Sequence, residues 1–403
     1  MPEINRRKFL IASAGVGALG LSGAVALTLP QMLDAGRERP LAQNKGILVI
    51  VTLYGGNDGL STVIPYADNA YHDARPELAY APSEVIDLDG TVGLNPALTG
   101  LAKQWDQKSL AVVRGVGYPN QDRSHFRSMD IWQTASPNEP ASTGWIGRWL
   151  DATGDDPLRA VNMGVVVPPL AMGEKCVAST LSDAIPLVPP EFGTTLTKLR
   201  VDDPQDTRAM GGVCASYQAN SRTDVAFRPL VGDVHPGGGV PVGVNVLKLQ
   251  LDLVAKCVQA GVPTQVYTVS LGGFDTHADE RGTQQQLLKE VDDALAPFLQ
   301  TMRTSTHGKD LVVMMYTEFG RRVAANASQG TDHGTSGPVL ILGKPVKGGL
   351  YGDAPSLTDL TDGDLKTTTD FRDVYSELLT HTVGTDPGPS VGTGRRDVGF
   401  LVK

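Results

Sequence analysis

Five residues bring carboxylate and imidazole chemistry into short stretches flanked by glycine. They are Asp58 in Gly55-Gly56-Asn57-Asp58-Gly59, Asp275 and His277 in Gly272-Gly273-Phe274-Asp275-Thr276-His277, and Asp332 and His333 in Thr331-Asp332-His333-Gly334. These are the ligand types taken by one or two divalent metal ions. A neighbouring glycine lets the backbone turn sharply and carry such a side chain inward. A single Asp after a strand is often only a helix cap. Three clusters sharing five such residues, in a chain with seven histidines, point instead to a common centre. A G-x-S-x-G elbow, an H-E-x-x-H helix and a P-loop are absent, and no G-x-G-x-x-G follows a predicted strand, which removes those catalytic classes.

Such residues need elements to position them. With 403 residues, 41% hydrophobic and 20% charged, the composition is that of a folded globular chain. Short apolar runs at 47–51, 110–113, 265–271, 311–316 and 339–342 predict strands, and the patterns at 246–260 and 284–302 predict helices. This alternation predicts an α/β fold, a mostly parallel sheet with helices on both faces. Two clusters follow predicted strands directly, and the third lies between the fourth and fifth. Ligands bind outside the carboxyl ends of strands in such sheets. Residues 160–242 are rich in Pro and Gly without sustained periodicity and read as an irregular insertion, within one domain over 41–403.

Residues 1–40 read as separate from that domain. Asn5-Arg6-Arg7-Lys8-Phe9-Leu10 precedes an uncharged stretch at 10–29, in the charged-then-apolar order of a signal peptide, and resembles a twin-arginine (Tat) signal. Ala24-Val25-Ala26 is the cleavage candidate, and 31–44 reads as a polar leader. The resemblance implies a periplasmic or secreted protein that meets a membrane only through export or an uncleaved signal. A net charge of −9 argues against nucleic acid as a partner. Of the three cysteines, Cys176 and Cys214 are the expected pair in an oxidising compartment, and Cys257 falls in a helical pattern as a buried thiol.

The strings Gly-Gly-Asn-Asp-Gly-Leu from Gly55, Ser124-His125-Phe126, Gly-Gly-Phe-Asp-Thr-His from Gly272, Thr317-Glu318-Phe319-Gly320-Arg321 and Thr-Asp-His-Gly-Thr from Thr331 resemble the bacterial exported family DUF1501. The resemblance runs from about residue 46 to the end. That family is grouped with the alkaline phosphatase and sulfatase superfamily, which implies an alkaline phosphatase-like fold and a metal-dependent hydrolase of phosphate or sulfate esters. The substrate would be a small-molecule or polymer-borne anionic ester. The resemblance implies one metal on Asp58, Asp332 and His333 and a second on Asp275 and His277, with Zn, Mn and Ca all open. The superfamily's further late histidine has only His381 as a counterpart here, in a helical pattern that suits a packed or surface residue. The nucleophile implied is Ser124, at a helix start beside His125 and Arg127, with Ser61 and Thr62 as alternatives. Arg123, Arg127 and Arg321 would bind the anionic oxygens, and Glu318 would hold Arg321 or serve as another ligand. His72, His235 and His307 receive no role. The competing expectation is a non-catalytic exported protein that keeps the fold and binds a metal or a partner.

Overall fold

Every residue of the strand Ile47–Leu53 is buried, as a central parallel strand covered on both faces requires. Its side chains alternate, with Ile47, Val49, Val51 and Leu53 in one apolar cluster and Leu48 and Ile50 in another. The computed structural model describes residues 26–43, 45–164, 167–181 and 244–402. Within them lie thirteen strands: β1 (Ala26–Leu27), β2 (Ile47–Leu53), β3 (Val63–Ile64), β4 (Ile86–Asp87), β5 (Gly93–Leu94), β6 (Leu110–Gly117), β7 (Ala160–Asn162), β8 (Ser179–Leu181), β9 (Val266–Leu271), β10 (Leu311–Thr317), β11 (Gly337–Leu342), β12 (Gly349–Tyr351) and β13 (Thr369–Asp370). The main helices are α1 (Leu29–Glu38), α2 (Gly59–Thr62), α3 (Asn69–Ala74), α4 (Thr99–Asp106), α5 (His125–Thr134), α6 (Trp145–Thr153), α7 (Val246–Gln259), α8 (Glu280–Thr304), α9 (Phe371–Glu377) and α10 (Gly388–Val391).

Ten strands form one sheet in the order β1-β8-β7-β9-β2-β10-β11-β6-β12, with β13 also pairing β6. All pairings are parallel except the two made by β11, which runs against both β10 and β6. Strands β3, β5 and β4 make a small antiparallel sheet. The expected α/β class and all five expected strands are present. Asn245 caps α7 by accepting a hydrogen bond from the Lys248 amide. Leu247, Leu251, Val254 and Val258 of α7 are buried in the first cluster with Leu288, Val291, Leu295 and Leu299 of α8. Ile131 and Trp132 of α5, Trp145, Ile146, Trp149 and Leu150 of α6, and Val374 and Tyr375 of α9 cover the opposite face.

Two stretches expected to be irregular or polar contain regular elements. Residues 160–162 and 179–181, read as part of an irregular insertion, are strands β7 and β8 extending the parallel sheet beyond β9. They are three residues each, too short to show a period. The rest of that stretch, 182–243, lies outside the described residues, as do Cys214 and its expected pairing with Cys176. Residues 31–38 of the expected polar leader lie in α1, which begins in a capping box between Thr28 and Gln31. Met32 of α1 is fully buried in the first cluster. Residues 1–25 lie outside the described residues. No helix among those described is long and apolar enough to cross a membrane.

Candidate metal centre

The reversal of β11 decides what meets at the sheet rim. Residues following β2, β6, β9 and β10 emerge at the carboxyl ends of like-directed strands. The residues entering β11 emerge at the same rim because that strand runs the other way. Asp58, His125, Asp275–His277 and Asp332–His333 thus all come from one edge of the sheet. Close approach of the loops requires glycine at two points. Gly55 has φ +117°, and a Cβ there would sit 2.5 Å from the Asp275 amide nitrogen. At Gly330 a Cβ would sit 2.2 Å from the His277 carbonyl carbon. Gly330→Ala is expected to push the loops of His277 and His333 apart and to cost about 1–3 kcal/mol as overpacking. Its thermal unfolding and metal uptake would both fall; parental values for both would remove Gly330 as a spacer.

Three imidazole rings stand around Asp275 Oδ1. From Asp275 Oδ1, His277 Nε2 lies at 3.0 Å, His333 Nε2 at 3.2 Å and His125 Nε2 at 3.3 Å. His277 Nε2 and His333 Nε2 are 3.0 Å apart. Ligand atoms of His125, Asp275 and His333 all lie within 4.8 Å of one another. Donors held tetrahedrally at the usual 2.0–2.2 Å from one ion stand about 3.3–3.6 Å apart, close to the spacing of Asp275 Oδ1 from each of the three rings.

The opposite nitrogen of each ring has its own partner. His125 Nδ1 is 2.8 Å from Glu318 Oε1, His333 Nδ1 is 2.8 Å from the Arg123 carbonyl, and His277 Nδ1 is 3.4 Å from Asp332 Oδ1. An acceptor behind Nδ1 fixes the proton there and leaves the Nε2 lone pair facing inward, the arrangement that metal-binding histidines use. His125 Nε2 is buried and makes no hydrogen bond, an open donor that an ion would satisfy. The donor set therefore fits a divalent metal.

The supports are themselves anchored. Glu318, almost fully buried, accepts hydrogen bonds from the Gly55 amide at 2.9 Å and the Thr317 hydroxyl at 2.9 Å. Glu318→Gln is expected to weaken metal binding by about 10–100-fold, the usual cost of losing a carboxylate behind a ligating histidine. Calorimetric titration with Zn²⁺ would test it, and unchanged affinity would rule it out. The buried Arg321 guanidinium donates to the carbonyls of Gly56 (2.6 Å), Gly55 (2.5 Å), Phe274 (3.0 Å) and Thr331 (2.9 Å), and to Asp275 Oδ1 at 2.8 Å. Burial works against the Asp275 charge, but the hydrogen bond and positive charge of Arg321 outweigh it and hold the carboxyl down at about 2. Partial burial pulls His333 below the ordinary imidazole range, which favours the neutral, ligating form. Asp332 is half-exposed and held below its ordinary value, chiefly by a hydrogen bond from Asn326.

The expected site residues are thus regrouped. Asp275, His277 and His333 meet, and His125, expected beside the nucleophile, joins them through its Nε2. Asp332 stands behind His277, not in the ligand cluster. Arg321 is enclosed by carbonyls and cannot reach a substrate, because its donors are already taken. Arg127 pairs with Asp130 at 2.5 Å on α5, and the Arg123 side chain pairs with Asp364. Ser124 is exposed at the N-cap of α5 and its hydroxyl does not cap the helix. Ser61 and Thr62 are buried in α2. His381 is at the surface, 3.2 Å from Asp397.

Asp58 departs furthest from expectation. It caps α2 and is 0% exposed, with both oxygens on the equally buried Arg75 guanidinium at 2.5 Å and 3.1 Å. Burial opposes its charge, yet Arg75 keeps the carboxyl below its ordinary range. Glu280, fully buried at the start of α8, accepts from the Thr331 hydroxyl at 2.5 Å on one carboxyl oxygen, while the other is buried without a hydrogen bond. Burial and then the Asp58 charge raise Glu280 to about 9, so it is a neutral acid at pH 7. Sequence reasoning missed Arg75 and Glu280. Neither lies in a glycine-flanked cluster, and the signal available for Asp58 was its cap position before Gly59-Leu60.

The chain is similar to solved structures at low identity. A protein in the alkaline phosphatase superfamily from Vibrio parahaemolyticus shares 12% identity, covering 100% of this chain and 80% of that one, with a TM-score of 0.42. For the lipoteichoic acid synthase LtaP from Listeria monocytogenes the values are 11%, 88%, 75% and 0.42. For the PsFucS1 sulfatase from Pseudoalteromonas sp. they are 9%, 95%, 78% and 0.41. No curated protein matches the sequence. Residues 253–397, which carry the Asp275–His277 and Asp332–His333 loops but neither Asp58 nor His125, match the family model described as "Protein of unknown function (DUF1501)".

Proposed function

We propose that the chain is a metal-dependent hydrolase of phosphate or sulfate esters. The observation that carries this reading is the convergence of three imidazole Nε2 atoms on Asp275 Oδ1, each imidazole backed by an acceptor at Nδ1. His125, Asp275, His277 and His333 would hold the ion. When bound, a divalent ion supplies Lewis acidity to the ester's oxygens. Three neutral imidazoles and one carboxylate leave a dication with net positive charge, which suits an anionic ester.

Glu318, the Arg123 carbonyl and Asp332 keep the ring protons on the outer nitrogens, and Arg321 keeps Asp275 ionised. Ser124, exposed beside His125 with its hydroxyl unused by the helix, is the nucleophile of this reading. Arg127, half-exposed one turn into α5, meets the incoming anion in place of Arg321. Residues preceding α1 would act as a Tat export signal and place the enzyme in the periplasm or outside the cell.

The test is hydrolysis by the purified chain, loaded with Zn²⁺, Mn²⁺ or Ca²⁺, of an aryl phosphate, an aryl phosphodiester and an aryl sulfate. Turnover of one class, lost on chelation and restored by metal, is the expected result. Turnover unchanged in the double variant Asp332→Ala, His333→Ala would refute the site. A second reading, a metal-binding protein without catalysis, is favoured by the enclosure of Arg321, which removes an expected anion-binding group. Stoichiometric metal without turnover on any ester would support it.

A further inference from the structure

Five acidic side chains surround the centre, and the way each is committed limits how many cations it takes. Glu318 is used by His125, Gly55 and Thr317, and Asp332 by Asn326 and His277. Asp275 stands with the imidazole Nε2 atoms, and it differs from Asp58 in being half-exposed and in accepting its guanidinium, that of Arg321, on Oδ1. Asp58 and Glu280 lie behind, fully buried, and there the countercharge is already present. Arg75 sets two hydrogen bonds on Asp58, and it is locked in place by donating Nε to the Val323 carbonyl at 2.8 Å and Nη2 to the Arg322 carbonyl at 2.7 Å. A divalent ion on Asp58 would have to displace a guanidinium from these four bonds inside the protein. Failing that, it would share one carboxylate with a like charge in a medium where such repulsion is strong.

We propose that the protein binds one divalent ion, on His125, Asp275, His277 and His333, and that Arg75 is a fixed internal cation standing where a second ion would need Asp58. This rests on the metal reading above but not on catalysis. It differs from the two-ion arrangement implied by resemblance, because Asp58 is not a ligand and His125 is.

The experiment is metal analysis of the full chain after saturation with Zn²⁺ and gel filtration, together with a Co²⁺ absorption titration. One equivalent per chain, with a break in the Co²⁺ titration at one equivalent, is expected. His277→Ala and Asp275→Asn should each weaken binding by more than about 100-fold, beyond the effect of losing a group behind a ligand. Asp58→Asn should leave Zn²⁺ affinity and stoichiometry unchanged; should that variant not fold, the parental stoichiometry decides alone. Two equivalents, or loss of Zn²⁺ in folded Asp58→Asn, overturn the proposal. Two equivalents with ester turnover would leave the hydrolase reading standing, whereas one equivalent without turnover would do the reverse. No bound metal would remove both.

Discussion

Arg75→Ala is expected to destabilise the protein by about 3–5 kcal/mol, the cost of stranding one partner of a buried ion pair. The Asp58 carboxylate would remain enclosed beside Glu280 with no countercharge. The effect should carry a pH signature in the parent. Glu280 has its folded pKa at about 9 against an ordinary value of 4.5. The stability tied to its proton is therefore complete below about pH 4.5 and is lost as pH rises towards 9. Asp58 acts oppositely: its pKa is lowered, so its contribution is present above the ordinary carboxylate range and is lost in acid. Glu280→Gln, which keeps a neutral hydrogen-bonding group, should gain stability over the parent steadily from pH 5 to pH 9. Urea denaturation at pH 5, 7 and 9 tests both variants. A loss under about 1 kcal/mol for Arg75→Ala, or a pH-independent difference for Glu280→Gln, would show that the triad is not held as described.

The second large effect is at Asp275. Asp275→Ala removes the one carboxylate among the inward donors, and with it the charge that makes a divalent ion preferable to water there. Metal affinity should fall by more than about 100-fold, and ester hydrolysis should fall with it. Folding should survive, because Arg321 keeps four carbonyl acceptors. Metal analysis, aryl ester kinetics and a thermal melt on one preparation separate these outcomes. Full metal content with a lowered melting temperature would make Asp275 a structural residue instead.

The sequence carried the sheet more readily than the site. Fully apolar runs such as Ile47–Leu53 and Leu311–Thr317 have no polar alternative to a covered strand, so their positions were readable. Strands of two or three residues, such as β7 and β8, offer no period and passed as irregular. Asp275, His277 and His333 were readable because glycine and ligand types coincide within a few residues. His125 has no glycine neighbour, and its role depends on Glu318, which lies 193 residues away. Asp58 shows the converse: local sequence fits a ligand and a helix cap equally, and only Arg75, arriving from α3, decides between them. Arg321 was read as an anion-binding group, and nothing local to it records the four carbonyls that converge there.

The ligands of the centre also have a bearing on folding kinetics. His125 and His333 are brought together across 208 positions of chain, and the pocket between them exists only once β6, β9, β10 and the reversed β11 are all in register. An ion held there binds the native state and no partly assembled sheet. Its stabilisation, which follows mass action on the native state, should appear as slower unfolding with little change in the folding rate. Metal would then act as a latch on the finished molecule, lengthening its lifetime without guiding its assembly.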